Sequence, residues 1–252
     1  MQIILSPAKT MVEDDGPAIA GLPQFLPRTH RLLDAMRVLA PSQLQGIWKC
    51  NDTLAQLNLD RLERMDLEHG LTPALLAYDG IQYRSMAPTV LEQAPLAWLH
   101  EHLRILSGFY GILRPFDGVT PYRLEMQAKL AVDSHKDLYD FWGGSLAQAL
   151  AQESDTILDL ASKEYSRAVL PHLPHGVQVV RCVFGQLQNG RVVERATPCK
   201  MARGQMVRFL AEENAQGPQD CLDFSAQGFQ YSPEHSTPGC LVFLRQPEEK
   251  QR

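Results

Sequence analysis

The residues best suited to chemistry fall in three places. The stretch Leu103 to Met126, LRILSGFYGILRPFDGVTPYRLEM, combines the glycines Gly108 and Gly111, the prolines Pro115 and Pro121, and the arginines Arg104, Arg114 and Arg123. Leu99, Leu103 and Leu106 fit one face of a helix ending at Gly108, where a turn is easy for glycine and Pro115 stops any continuation. The expectation is a helix, a tight glycine hairpin and a second short helical piece. Backbone N–H groups at a helix start suit a phosphate, and arginines beside them would add charge-assisted bonds. The plainer alternative is a glycine turn between helices with its arginines in solvent.

The other two places follow apolar runs that read as strands. IILSPAKT puts Ser6 and Lys9 just past one, and ILDLASKEYS puts Ser162, Lys163, Glu164 and Tyr165 just past the other. In open α/β sheets, ligands bind at the carboxyl ends of strands. If the two strands are parallel neighbours, their tails converge on a pocket with two lysines, a carboxylate and a phenol. Tyr122, Arg123 and Glu125 would close one side, and Lys200 with Arg203 another, which suits an anion and above all a phosphate. The duller possibilities are that Lys9 solvates a loop, Ser162 caps a helix whose dipole favours Glu164, and Arg123 and Glu125 form a weak surface pair.

These segments need elements to hold them. Gln2 to Leu5 reads as a buried strand and Asp14 to Pro27 as a loop. Helical periodicity covers Thr29 to Leu39, Asp52 to Arg64, Pro73 to Tyr78, Ala94 to Leu106 and Asp137 to Gln152, the last capped by Asp137. Thr156 to Leu160 is a buried strand. Val177 to Leu187 and Arg191 to Thr197 form a hairpin joined at Asn189-Gly190. Lys200 to Asn214 is helical, and Gly228 to Tyr231 and Leu241 to Arg245 are strand-like. With no repeat and no long linker, the fold expected is one mixed α/β (α+β) domain over residues 1–252, with a mixed sheet, a helical insertion near 28–110 and the helix-hairpin-helix-like element.

The 252 residues are 44% hydrophobic and 21% charged, as in a soluble globular protein. No apolar run approaches the roughly 20 residues of a membrane span, which predicts a cytoplasmic protein without a membrane partner. Five cysteines, an odd number with no C-x-x-C pair, suit a reducing compartment. A net charge of −5 opposes general adhesion to a polyanion, so any DNA site must be local. Gly190 to Leu210 holds five basic residues, Arg191, Arg195, Lys200, Arg203 and Arg208, against Glu194, and the following segment to His235 has no Lys or Arg. That contrast suggests one basic face, or else mixed charges on a solvated helix.

Metal chemistry has little support. His100 and His102 are two residues apart on an expected helix and point to different sides, His172 and His175 sit in a proline-bounded loop, and no Cys/His set has zinc or iron–sulfur spacing. Cys199 beside Lys200 could have a lowered thiol pKa, or could simply be buried. No P-loop, dinucleotide fingerprint, G-x-S-x-G or H-E-x-x-H occurs, so no cofactor is expected and enzymatic activity is left open.

FYGILRPFDGVTPYRLEM resembles the signature of the YaaA-type peroxide-stress proteins. MQIILSPAKT, DLYDFWG, LASKEYSRAV, KMARGQMVRF and GFQYSPEHSTPGCLVFLR resemble the same family in the same order, from about residue 1 to 245. The resemblance implies a bacterial cytoplasmic protein linked to survival of hydrogen peroxide, to lower free iron, and to DNA binding through a helix-hairpin-helix element and a basic cleft. Two places depart from the family. Its Phe-Lys/Asn-Gly-Asp-Val-Tyr segment is here Tyr78-Asp79-Gly80-Ile81-Gln82-Tyr83, and the hairpin glycines are spaced G-F-Y-G rather than G-x-G.

Two functions compete on these residues. One is a DNA-binding protein of the peroxide response, holding duplex or distorted DNA by its phosphates, with Ser6, Lys9, Arg104, Gly108, Gly111, Arg114, Tyr122, Arg123, Lys163, Lys200 and Arg203 as candidate contacts and an indirect effect on iron. The other is an enzyme on a nucleotide, base or nucleic acid, or a binder of a phosphorylated small molecule, with Lys9, Lys163, Glu164 and Tyr165 as candidate catalytic groups. A plain interaction protein would have neither pocket nor basic cleft.

Overall fold

Ile3, Ile4 and Leu5 are completely buried, which marks the N-terminal strand as the centre of the molecule. The structure, a computed structural model, describes residues 1–14 and 16–245. Strand β1 (Gln2–Leu5) leads through a loop into α1 (Leu26–Arg37), α2 (Pro41–Trp48) and α3 (Asp52–Arg64). Then come β2 (Thr72–Pro73), α4 (Ala74–Ala77), α5 (Ile81–Met86), α6 (Gln93–His102), β3 (Leu103–Ser107), β4 (Gly111–Leu113) and β5 (Gly118–Val119). The second half holds α7 (Leu138–Trp142), α8 (Ser145–Glu153), β6 (Thr156–Asp159), α9 (Lys163–Ser166), β7 (Gln178–Gln188), β8 (Arg191–Val193), α10 (Ala196–Glu212), β9 (Phe229–Tyr231) and β10 (Cys240–Arg245).

Seven strands run in the order β4-β3-β1-β6-β7-β10-β9, and β8 adds to β7, giving one mixed sheet of 8 strands. The central strands β3, β1, β6, β7 and β10 are parallel, and β4, β8 and β9 pair antiparallel. A mixed α/β fold with a mixed sheet is therefore present, and β1 and β6 are parallel neighbours in register Ile3 to Leu158. No helix among the described residues is long and apolar enough to cross a membrane.

The helix-hairpin-helix expectation is corrected. Helix α6 ends at His102, and residues 103 to 113 form the β3–β4 hairpin, every residue of it buried. A leucine-rich run covered on both faces of a sheet has no alternation, so its spacing also fits a helix. The glycines answer to packing. A Cβ on Gly108 would lie 2.6 Å from the Leu124 carbonyl oxygen, and Gly111, at φ +78°, has Trp142 directly over it. The turn's donors are also used internally, since the Phe109 and Tyr110 N–H groups donate to Ser107 Oγ. Gly108 and Gly111 thus offer no phosphate cradle, and the helical part between the first strands ends at 102 rather than near 110.

Smaller differences have equally local causes. The helix expected over 137–152 breaks into α7 and α8 at Gly143-Gly144, where Gly143 has φ +49°. Asp137 does cap α7, accepting the Asp140 N–H at 2.9 Å. The Asn189-Gly190 turn joins β7 and β8, both residues at positive φ, but β8 stops at Val193 and α10 begins at Ala196, before Lys200.

Candidate functional site

Because β1 and β6 run side by side in the same direction, their following residues meet. The Ser162 N–H donates to Ser6 Oγ at 2.8 Å, and the two hydroxyls are 3.2 Å apart. Ser162 therefore ties the two strand ends together and its side chain makes no capping bond to α9. The Ser6 carbonyl accepts from Gln82 Nε2 at 2.9 Å and from Tyr83 OH at 3.0 Å, which fixes α5 beside the same point.

A cavity of about 300 Å³ opens at this junction. Ser6, Lys9, Tyr122, Arg123, Glu125, Glu164, Tyr165, Lys200 and Arg203 line it, as does Ser162. Lys163 does not: its side chain is exposed and outside the lining, so the second lysine of the pocket is Lys200. Asp79, Gly80, Ile81 and Gln82 form a wall that the strand-end reasoning missed. The signal for it was present, since this is the segment that departs from the family pattern.

The lining charges are unevenly used. Lys9 Nζ pairs with Glu125 at 2.8 Å, and Arg123 shares Glu125 at 3.3 Å while donating from Nε to the Trp48 carbonyl at 3.2 Å. Asp79 is taken by Arg84 at 2.6 Å, and that hydrogen bond lowers its carboxyl pKa. Glu164 has no cationic side-chain partner in hydrogen-bonding range among the described residues; its Oε1 accepts the Gln127 N–H at 3.2 Å. Burial pushes its carboxyl up, assisted by Glu125 and opposed by that N–H. Tyr165 is pushed well above the usual phenol range by burial. Tyr122, whose hydroxyl lies 2.6 Å from Ser107 Oγ and 2.8 Å from Tyr78 OH, is pushed up by burial to about 12.

Arg203 and Lys200 differ from these. Arg203 is 8% exposed, makes no hydrogen bond with any described residue, and has one ion pair, to Glu194 at 3.6 Å. Lys200 is exposed and has no ion pair among the described residues. The arrangement therefore offers one unpaired cation, Lys200, a second, Arg203, whose single ion pair is long, a protonatable carboxyl and two tyrosines around one opening.

The remaining arginines lie elsewhere. Arg104 is buried, donating to Glu153 at 2.6 Å and to the carbonyls of His100 and Leu103. Arg114 pairs with the same Glu153 at 2.9 Å. Of the basic run, Arg208 pairs with Glu212 one turn on, and Arg203 is turned inward, so the five cations do not form one open face. Cys199 is buried and its thiol donates to the Phe184 carbonyl; burial raises its pKa, which removes the activated-thiol reading. His102 Nδ1 lies 2.9 Å from the Met1 carbonyl oxygen, and no group of three or more His, Cys, Asp or Glu able to hold a metal occurs among the described residues.

Asp117, beside the Arg104–Glu153–Arg114 cluster, is pushed by burial to about 6, against the opposing Arg114 N–H. The folded protein therefore holds this proton at pH values where the unfolded chain has lost it. From about pH 4 to 6 this group makes stability fall as pH rises. Asp117→Asn, which keeps an acceptor for Arg114, is expected to flatten that part of the denaturation-midpoint profile relative to the parent. Identical profiles would show that Asp117 is ionised in the fold.

Sequence comparison extends these observations. A family model described as peroxide stress protein YaaA matches residues 1–235. A UPF0246 protein of Lachnoclostridium phytofermentans is 48% identical over 246 residues, covering 97% of this chain and 96% of the relative. Similar proteins of Desulfitobacterium hafniense (46%, covering 99% and 100%) and Pediococcus pentosaceus (45%, covering 97% and 98%) carry the same UPF0246 designation.

Proposed function

Since this chain belongs to the YaaA family of peroxide stress proteins, we propose that it serves the response to hydrogen peroxide by binding DNA through phosphates at the strand-end pocket. One observation carries this reading. Lys200 and Arg203, from one helix, line the same opening as the ends of β1 and β6; Lys200 has no ion pair among the described residues and Arg203 only one, at 3.6 Å to Glu194. A local cationic mouth on a chain of net charge −5 suits salt-sensitive, sequence-tolerant contact with a polyanion. Duplex or distorted DNA would meet this mouth, and not the buried glycine hairpin. Lower free iron is then a downstream consequence of the DNA-bound role, in a protein acting in the cytoplasm.

Retardation of duplex and bulged DNA over a range of salt concentrations tests the reading. Lys200→Gln is expected to weaken binding of every sequence alike and to reduce the log–log salt slope by about 1. Absence of retardation with any DNA form at low salt, or an unchanged slope in the variant, would overturn it.

Glu164 favours a second reading, an enzyme acting on a nucleotide, base or nucleic acid in the same pocket. It is the lining carboxylate without a close cationic partner, and a carboxyl raised by burial is suited to proton transfer. Lys9 and Tyr165 would position the substrate, with Lys200 in the place expected of Lys163. Release of a base or phosphate from an oligonucleotide, lost in Glu164→Gln, is the expected result; no product at any pH between 5 and 8 excludes it.

A further inference from the structure

We infer that the Arg203–Lys200 end of the pocket is a site for a single phosphate group, so that the ligand class is a nucleoside monophosphate or one nucleotide of a strand. This rests on the strand-end pocket as the functional centre and adds what that pocket accepts. The Arg203 side chain is 9% exposed, its buried Nε–H meets no acceptor among the described residues, and its Nη2 has only the Glu194 carboxylate, at 3.6 Å. Buried guanidinium donors are almost always satisfied, because leaving them unmade costs the full desolvation of the group. Such a group in a cavity wall is a socket for an acceptor-rich anion, which its planar fork matches. Glu194, at 3.6 Å, stands close enough to moderate the charge and too far to occupy the donors.

Lys200 lies three residues earlier on α10, hence on the same helical face, and lines the same cavity. One unpaired cation and one with a single long ion pair suit one phosphate. A second or third phosphate would find no further free cation in the lining, because Lys9 and Arg123 are both engaged by Glu125. It would instead compete with Asp79 and Glu125 for the cations that already pair with them, and meet the unpaired Glu164 carboxyl. A cavity of about 300 Å³ is at the small end of ligand pockets and fits one nucleotide. Tyr122 and Tyr165 add apolar wall to the cavity for the sugar and base, and the Glu164 carboxyl a hydrogen-bonding group.

Isothermal titration of the full chain with deoxyadenosine 5′-monophosphate, deoxyadenosine and deoxyadenosine 5′-triphosphate tests the site. The monophosphate is expected to bind at least about tenfold tighter than the nucleoside, and the triphosphate no tighter than the monophosphate. Arg203→Lys, which keeps the charge and loses the fork, and Lys200→Gln, on an exposed position, should each weaken the monophosphate about tenfold with unchanged melting curves for Lys200→Gln. No monophosphate binding by the folded protein, or tighter triphosphate binding, overturns the inference. If DNA retardation persists and responds to Lys200→Gln while the monophosphate fails to bind, the DNA reading stands and the single-phosphate site falls.

Discussion

Gly204→Ala is expected to cost about 3 kcal/mol of stability, seen as a fall in melting temperature of roughly 10 °C. A Cβ built on Gly204 lies 1.9 Å from the Gln82 carbonyl oxygen, 2.9 Å from its carbon and 3.2 Å from the Met86 nitrogen. All three atoms are backbone of α5, so no side-chain rotation relieves the overlap. The two helices must separate by more than an ångström in an otherwise close-packed interior. Since Gln82 and Tyr83 of α5 hold the Ser6 carbonyl, the same displacement should loosen the strand-end junction. Gly46→Ala is the control: it sits in α2 with nothing within 4 Å of its Cβ, and is expected to be neutral or stabilising by up to about 1 kcal/mol. Equal melting temperatures for Gly204→Ala and the parent would show that α5 and α10 are not locked together.

Arg104→Met is expected to lose about 3 kcal/mol and, under the DNA-binding role proposed above, to retard DNA as the parent does at a temperature where the variant remains folded. Arg104 is 4% exposed, and its donors go to Glu153 and to two backbone carbonyls. Its removal leaves those acceptors unpaired and Glu153 with only the half-exposed Arg114. Arg114→Gln, at a partly screened pair, should cost less than about 1 kcal/mol. Denaturant midpoints check both values. An Arg104→Met variant as stable as the parent would reverse the assignment of Arg104 to a structural role.

These two residues mark the boundary between local and long-range information. Gly204 stands in a segment where glycine has no turn to make, and nothing in KMARGQMVRF reveals that Gln82 lies against it. Arg104 sits in a stretch rich in Gly, Pro and Arg, a composition shared by phosphate loops and by tight hairpins inside a core. The leucine spacing of residues 99–106 fits a helix throughout, and only the pairing of Ile3 with Leu103 and Ile105 with Leu113 turns the part from Leu103 onward into an inner strand of the sheet.

What the sequence by itself determined is local. It placed β1 over Gln2–Leu5, the turn at Asn189-Gly190, the Asp137 cap, the mixed α/β class and the family, because apolar runs, turn residues and ordered motifs express short-range preferences. It also pointed to the two strand ends, since Ser6 and Ser162 follow buried strands directly. Tertiary structure decided which side chains share a volume. Lys163 and Lys200 are equally cationic in sequence, yet only Lys200 lines the cavity, because α10 packs on α5 and brings it over the ends of β1 and β6. Burial likewise chose which arginines remain available, engaging Arg104 with Glu153 and leaving the Arg203 Nε–H unmet among the described residues. Desolvation and partner geometry depend on distances between remote segments, and those exist only once the chain is folded.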